Sequence, residues 1–169
     1  MDVLNSLKIS TTMDLVNKLS QDYPMLDFYC SDNFCWSPKK QQISYVKNQL
    51  EQDHGKWTLL HELGHAVAGH NSYKYDIELL NIETTAWVVA QDLAEAYSIK
   101  IDQNHIQDCL DSYRDWLHLR STCPNCKFLN IQVSPNYYQC LNCEHSWQVS
   151  SKKLCRPYRM SKKTTPVLV

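Results

Sequence analysis

The chain has 169 residues, 43% of them hydrophobic, with 17 Lys+Arg against 18 Asp+Glu for a net charge of −1. That length makes one medium domain, or one domain with a small appendage, and no apolar run approaches the roughly 18 residues of a membrane span. The charge is unevenly spread. Up to residue 119 there are 9 Lys+Arg against 17 Asp+Glu, whereas from Arg120 onward there are 8 against Glu144 alone. Such a split predicts two units with different electrostatic duties, meeting near Ser121-Thr122.

In chain order, Met1-Asp2-Val3-Leu4-Asn5 lacks the basic-then-apolar order of a secretory signal, so a cytoplasmic, reducing setting is expected. Thr12 to about Gln21 reads as a helix with Thr12 as a candidate N-cap and Leu15, Val16 and Leu19 on one face, ended by Pro24. Asp27 to Tyr45, rich in aromatics and carrying Ser37-Pro38-Lys39-Lys40, reads as two or three short strands. A helix follows from about Lys56 to His70, with Leu60, Leu63 and Val67 apolar and Gly69 and Asn71 as stop signals. Asn71 to Ile77 is a polar loop. A long helix is expected over Glu78–Ser98, with Ile82, Ala86, Val89, Leu93 and Ala96 as its buried stripe. Asp102 can cap a last helix to about Leu119, with Ile106, Leu110, Tyr113 and Leu117 facing inward. The expected fold class is α+β for residues 1–120, followed by a small β ribbon over 121–150 and a basic tail over 151–169.

The chemistry concentrates in His61-Glu62-Leu63-Gly64-His65. Positions i and i+4 of a helix share a face, so both imidazoles can reach one metal ion while Glu62 flanks them. This is the arrangement that metal-assisted hydrolysis of a peptide bond uses, with Zn²⁺ as the expected ion and Glu62 as the base. The plainer alternative is a core helix carrying two histidines, which would leave two buried imidazoles unpaired. A catalytic zinc normally takes a third protein ligand. Glu83, 18 residues after His65 and on the next helix, is the first choice. Small residues at Ala86 and Ala90 would allow close helix approach. Asp76 and Glu78 are rivals. His70 is a weaker one, because five residues on a helix turn it about 140° from His65. Glu83 could also serve only as a first-turn carboxylate for the helix dipole.

Leu60-His61-Glu62-Leu63-Gly64-His65-Ala66, followed by Glu-x-x-Ala at Glu83 to Ala86, resembles the ImmA/IrrE type of small gluzincin metallopeptidase over roughly residues 25–98. The resemblance implies a zincin core in which His61, His65 and Glu83 bind a catalytic zinc and Glu62 is the general base. It also implies a dedicated protein substrate, of the DNA-binding regulator kind that such proteins cleave. The chain departs from that pattern after the glutamate helix, where Tyr97-Ser98-Ile99-Lys100 replaces an apolar-Met-Pro ending. Tyr73, Tyr75 and Tyr97 are candidate oxyanion donors, and Phe28 to Trp36 is a candidate edge strand for an extended peptide. A different class stays open beside the enzyme: a non-catalytic zinc-bearing regulatory or binding module.

Of eight cysteines, Cys123-Pro124-Asn125-Cys126 and Cys140-Leu141-Asn142-Cys143 form two Cys-x-x-Cys pairs thirteen residues apart, the spacing of a structural zinc ribbon. A hairpin over Phe128–Gln139, turning at Ser134-Pro135-Asn136, and a third strand over His145–Val149 are expected. Redox thiols are the lesser alternative. Cys30, Cys35, Cys109 and Cys155 read as reduced thiols, with a Cys30–Cys35 link left open. Lys127, Lys152, Lys153, Arg156, Arg159, Lys162 and Lys163, among Tyr137, Tyr138, Trp147 and Tyr158, suit nucleic-acid contact, a solvated tail, or docking onto the acidic unit. A zincin followed by a ribbon is also similar to the SprT layout. That group places a third histidine downstream of the pentad, and here the next after His70 is His105.

Overall fold

In the computed structural model the described residues run from Leu15 to Ser150. Thr12, Cys155 and the basic tail residues Lys152, Lys153, Arg156, Tyr158, Arg159, Lys162 and Lys163 lie outside them. The class is α+β. Helix α1 covers 15–22 within the described residues and brings Leu15, Val16 and Leu19 into the core. Strands β1 (Asp27–Cys30), β2 (Cys35–Ser37) and β3 (Gln42–Tyr45) follow, then a short 3₁₀ turn at Gln49–Glu51, α2 (Asp53–Val67), α3 (Asp76–Ala96) and α4 (Gln103–Ser121). Strands β4 (Gln132–Ser134), β5 (Tyr137–Gln139) and β6 (Ser146–Gln148) complete the described order.

Compactness divides the chain into two units. Among the described residues, one is built from 15–73 with Asn81–Gln103, and the other from Lys74–Leu80 with 104–150.

In the first unit the sheet order is β1-β3-β2, with β1 parallel and β2 antiparallel to β3. The central strand is covered on both faces: Ile43, Ser44 and Tyr45 are all buried, and the Ser44 hydroxyl donates to the Asn33 carbonyl at 2.8 Å. Strands β1 and β2 are both edges. The register pairs Cys30 with Tyr45 and Cys35 with Ser44, adjacent residues of β3 whose side chains take opposite faces. A disulfide needs Cα atoms within about 7 Å, and strands two places apart are about 9–10 Å apart. The Cys30–Cys35 link is therefore ruled out, and both cysteines are free. Helix α2 packs on β2 and β3 and buries Leu59, Leu60 and Leu63 fully.

Helix α3 is rotated from its expected face. Ala96 is exposed and Ile82 and Val89 only half-buried, whereas Glu83, Ala86, Trp87, Ala90, Leu93 and Ala94 are buried. The reason lies in the contact with α2. A Cβ on Gly64 would stand 2.4 Å from the Ala86 carbonyl oxygen, so the two backbones meet where one residue has no side chain and its neighbours have one methyl. That approach turns the Glu83–Trp87 face inward.

The second unit holds α4 and the sheet β4-β5-β6, antiparallel throughout. The buried stripe of α4 is Ile106, Leu110, Tyr113 and Trp116, with Leu117 half-buried. Charge alone placed the boundary near Ser121 and so joined α4 to the first unit. Its last turn is instead tied to the strands that follow. Arg120 donates from Nε to Asp76 Oδ2 at 2.7 Å, Tyr138 donates its hydroxyl to the same oxygen at 2.8 Å, and Trp147 Nε1 donates to the Arg120 carbonyl at 3.0 Å. The β4–β5 turn is Pro135-Asn136, where Pro presets φ and Asn136 takes φ 64°, a left-handed conformation that asparagine tolerates.

Candidate metal centres

Helix α2 presents His61 and His65 one turn apart, and α3 brings Glu83 to them. His61 Nε2 lies 3.1 Å from Glu83 Oε2 and 3.1 Å from His65 Nε2, and His65 Nε2 lies 3.5 Å from Glu83 Oε2. All three residues are buried. A tetrahedral Zn²⁺ with bonds of about 2.0–2.1 Å spaces its ligand atoms about 3.3–3.4 Å apart. The three observed edges bracket that value, so His61, His65 and Glu83 could hold a small divalent cation.

Without a cation these groups are joined by hydrogen bonds. Burial raises the Glu83 pKa, but hydrogen bonds from His61 and His65 and their charge outweigh it and bring the carboxyl down to about 2. Burial likewise disfavours protonated His65, yet the hydrogen bond and charge of Glu83 overcome it and raise its pKa.

The rival ligands are occupied elsewhere. Asp76 is bound by Arg120 and Tyr138. Glu78 accepts the backbone N–H groups of Lys74 and Tyr75 at 2.7 and 3.0 Å, as an N-terminal helix cap does. Tyr97, a candidate oxyanion donor, gives its hydroxyl to Asp22 at 2.6 Å. Tyr75 belongs to the second unit, beneath the Lys74 ammonium.

Glu62, buried beside His61, accepts the backbone N–H of Trp36 on edge strand β2 at 2.6 Å through Oε2. The ring of His61 stacks on Trp87 at 4.2 Å, and its Nδ1 has no hydrogen-bond partner among the described residues. Trp87 follows Glu83 by four positions, so one face of α3 supplies both a carboxylate to the ring edge and an indole to the ring face.

His70 stands where the sequence reading did not put it. A turn of about 140° applies only to a helix continuing to residue 70, but α2 ends at Val67 and Gly69 takes φ 69°. The chain folds back, and His70 Nδ1 reaches 3.0 Å from His65 Nδ1. Burial, then the charge of His65, lowers the His70 pKa. Gly69 was the available signal: four residues past His65, it closes a reversal that returns the next side chain to that histidine.

The second centre joins Cys123, Cys126, Cys140 and Cys143, whose ligand atoms all lie within 4.8 Å of one another. Cys123 and Cys143 sulfurs are 3.7 Å apart, and those of Cys126 and Cys140 3.4 Å. Zn–S bonds of about 2.3 Å imply edges of about 3.8 Å, so four thiolates here can close a shell. The two pairs are built alike. Lys127 N–H donates to the Cys123 carbonyl and Glu144 N–H to the Cys140 carbonyl, with φ of 66° and 59° at those residues. Cys123 N–H donates to the Phe128 carbonyl and Cys140 N–H to the His145 carbonyl, closing each knuckle. The Phe128 backbone N–H and the Asn142 side chain hold the Cys126 thiol down to about 6, favouring the thiolate that metal binding requires.

No helix among the described residues is long and apolar enough to cross a membrane. Comparisons with protein-family models, curated proteins and solved structures find no match to this chain.

Proposed function

We propose that this chain is a zinc-dependent endopeptidase of the gluzincin kind, with a zincin core similar to the ImmA/IrrE type and a structural zinc ribbon at its C-terminal side. The observation that carries the reading is the buried triangle of His61 Nε2, His65 Nε2 and Glu83 Oε2 at 3.1, 3.1 and 3.5 Å, with buried Glu62 one residue after His61 on the same helix. A Zn²⁺ held by His61, His65 and Glu83 would supply a Lewis acid and lower the pKa of the attacking water. Glu62 takes the proton of the attacking water and delivers it to the leaving amine. The Trp36 N–H holds one of its oxygens, so the base is oriented by an edge strand and not by solvent. The substrate is an extended segment of a dedicated protein, and by the resemblance that protein is a DNA-binding regulator. With the Trp36 N–H committed to Glu62, the edge that receives the peptide along β2 has one donor fewer, and β1 is the other edge. The ribbon and basic tail recruit that substrate or a nucleic acid.

The competing class is a zinc-bearing binding module without turnover, and Glu62 separates the two. Zinc-loaded wild type and Glu62→Gln are each incubated with cell extract, and new N-termini are read by mass spectrometry. The endopeptidase reading expects defined cleavages from wild type and a loss of about 10²–10⁴-fold in the variant with zinc content unchanged. Equal cleavage by both, or none by either, rejects it.

A further inference from the structure

We propose that His70 is a positioning residue for His65: it accepts the Nδ1–H of that ligand and so fixes both its ring and its tautomer. The inference rests on the reading of His61, His65 and Glu83 as a metal site. The end of α2 has the hydrogen bonds of a Schellman reversal. Gly69 N–H donates to the Ala66 carbonyl at 3.1 Å and His70 N–H to the His65 carbonyl at 3.0 Å, around the positive φ of Gly69. In such a reversal the residue after the glycine commonly makes an apolar contact with the residue five before it. Here that pair is His70 and His65, and two imidazoles meet edge to edge with Nδ1 atoms 3.0 Å apart. The main chain of His70 is held as well, because Trp36 Nε1 donates to its carbonyl at 2.9 Å.

The proton count is settled by the far side of each ring. His65 turns Nε2 toward His61 and Glu83, so a metal there leaves its one N–H on Nδ1. His70 Nδ1 must then be the acceptor, which puts the proton of His70 on Nε2. Ligand imidazoles almost always donate their second nitrogen to such an acceptor, and its loss typically weakens metal binding about 10–100-fold. His61 has no such acceptor among the described residues and is oriented by Trp87 instead. The site is therefore braced differently at its two histidines.

The test is zinc binding by the full chain, measured by equilibrium dialysis against buffered Zn²⁺, with the four-cysteine centre as internal reference. Wild type should fill two sites. His70→Ala should weaken only the non-cysteine site, by about 10–100-fold. His70→Asn, whose side-chain oxygen can take the place of Nδ1 as acceptor, should return it to within a few-fold of wild type. Unchanged affinity in His70→Ala, or equal weakening by Ala and Asn, would overturn the role of His70 while leaving the metal site standing. A wild-type chain that fills only the cysteine site would overturn both.

Discussion

Glu83 and His65 form a buried pair whose protonation opposes metal loading. In the metal-free protein the depressed Glu83 pKa adds stability above its ordinary 4.5, lost as pH falls toward about 2. The raised His65 pKa adds stability below its ordinary 6.5, lost as pH rises through the folded value. Their joint contribution is therefore greatest between about pH 4.5 and 6.5. Chelator-treated wild type, compared with Glu83→Gln by thermal unfolding, should show its largest advantage in that window and less of it at pH 8. Zinc binding should run the other way, weakening as pH falls through the imidazole range, because the ligands must be deprotonated. Trp87 offers a second test. Trp87→Leu keeps an apolar side chain but removes the stacking on His61, an interaction of about 0.5–1.5 kcal/mol. Zinc affinity at the histidine site should fall several-fold, with the cysteine centre unaffected. The cluster of His61, His65 and Glu83 was legible because two histidines at i and i+4 share a helix face and the next helix offers a carboxylate. His70 was hidden by an assumed helix end, since angular position means nothing beyond the glycine that stops the helix.

Helix spacing places the carboxylate. Gly64 lies under Ala86, and a Cβ there would meet the Ala86 carbonyl oxygen at 2.4 Å. Gly64→Ala should push α2 and α3 apart, costing about 1–3 kcal/mol in unfolding experiments and lowering zinc affinity at the histidine site only. Gly69→Ala meets nothing within 4 Å, so its cost is conformational alone, about 1 kcal/mol from the positive φ. The helices themselves were readable from apolar periodicity and stop signals, with ends shifted by at most three residues among the described residues. The rotation of α3 was not readable. Its expected stripe counted Val89 and Ala96 as core because they are apolar, whereas the face is chosen by the close approach at Gly64 and by the burial of the Glu83 carboxylate against His61 and His65.

At the level of the whole chain, charge suggested a boundary near residue 121, but packing follows particular bonds. The Asp76 carboxylate, buried between Arg120 and Tyr138, ties the start of α3 to the end of α4 and to β5 within the second unit. Asp76→Ala leaves the Tyr138 hydroxyl without its acceptor and Arg120 with only its Ser150 bonds, and should destabilise that unit by about 1–3 kcal/mol, seen as an early unfolding step. Long-range partners of this kind leave no periodic trace in a sequence. The cysteine spacing does, and it indicated the four-thiol cluster directly. Everything functional returns to whether the two histidines and Glu83 grip a metal. Zinc content of the purified, zinc-equilibrated chain measures that most directly: about two ions per chain in wild type, one in His61→Ala and one in Glu83→Ala, with the thiolate-bound ion retained in each. A wild-type content of one, unchanged by either substitution, would contradict it.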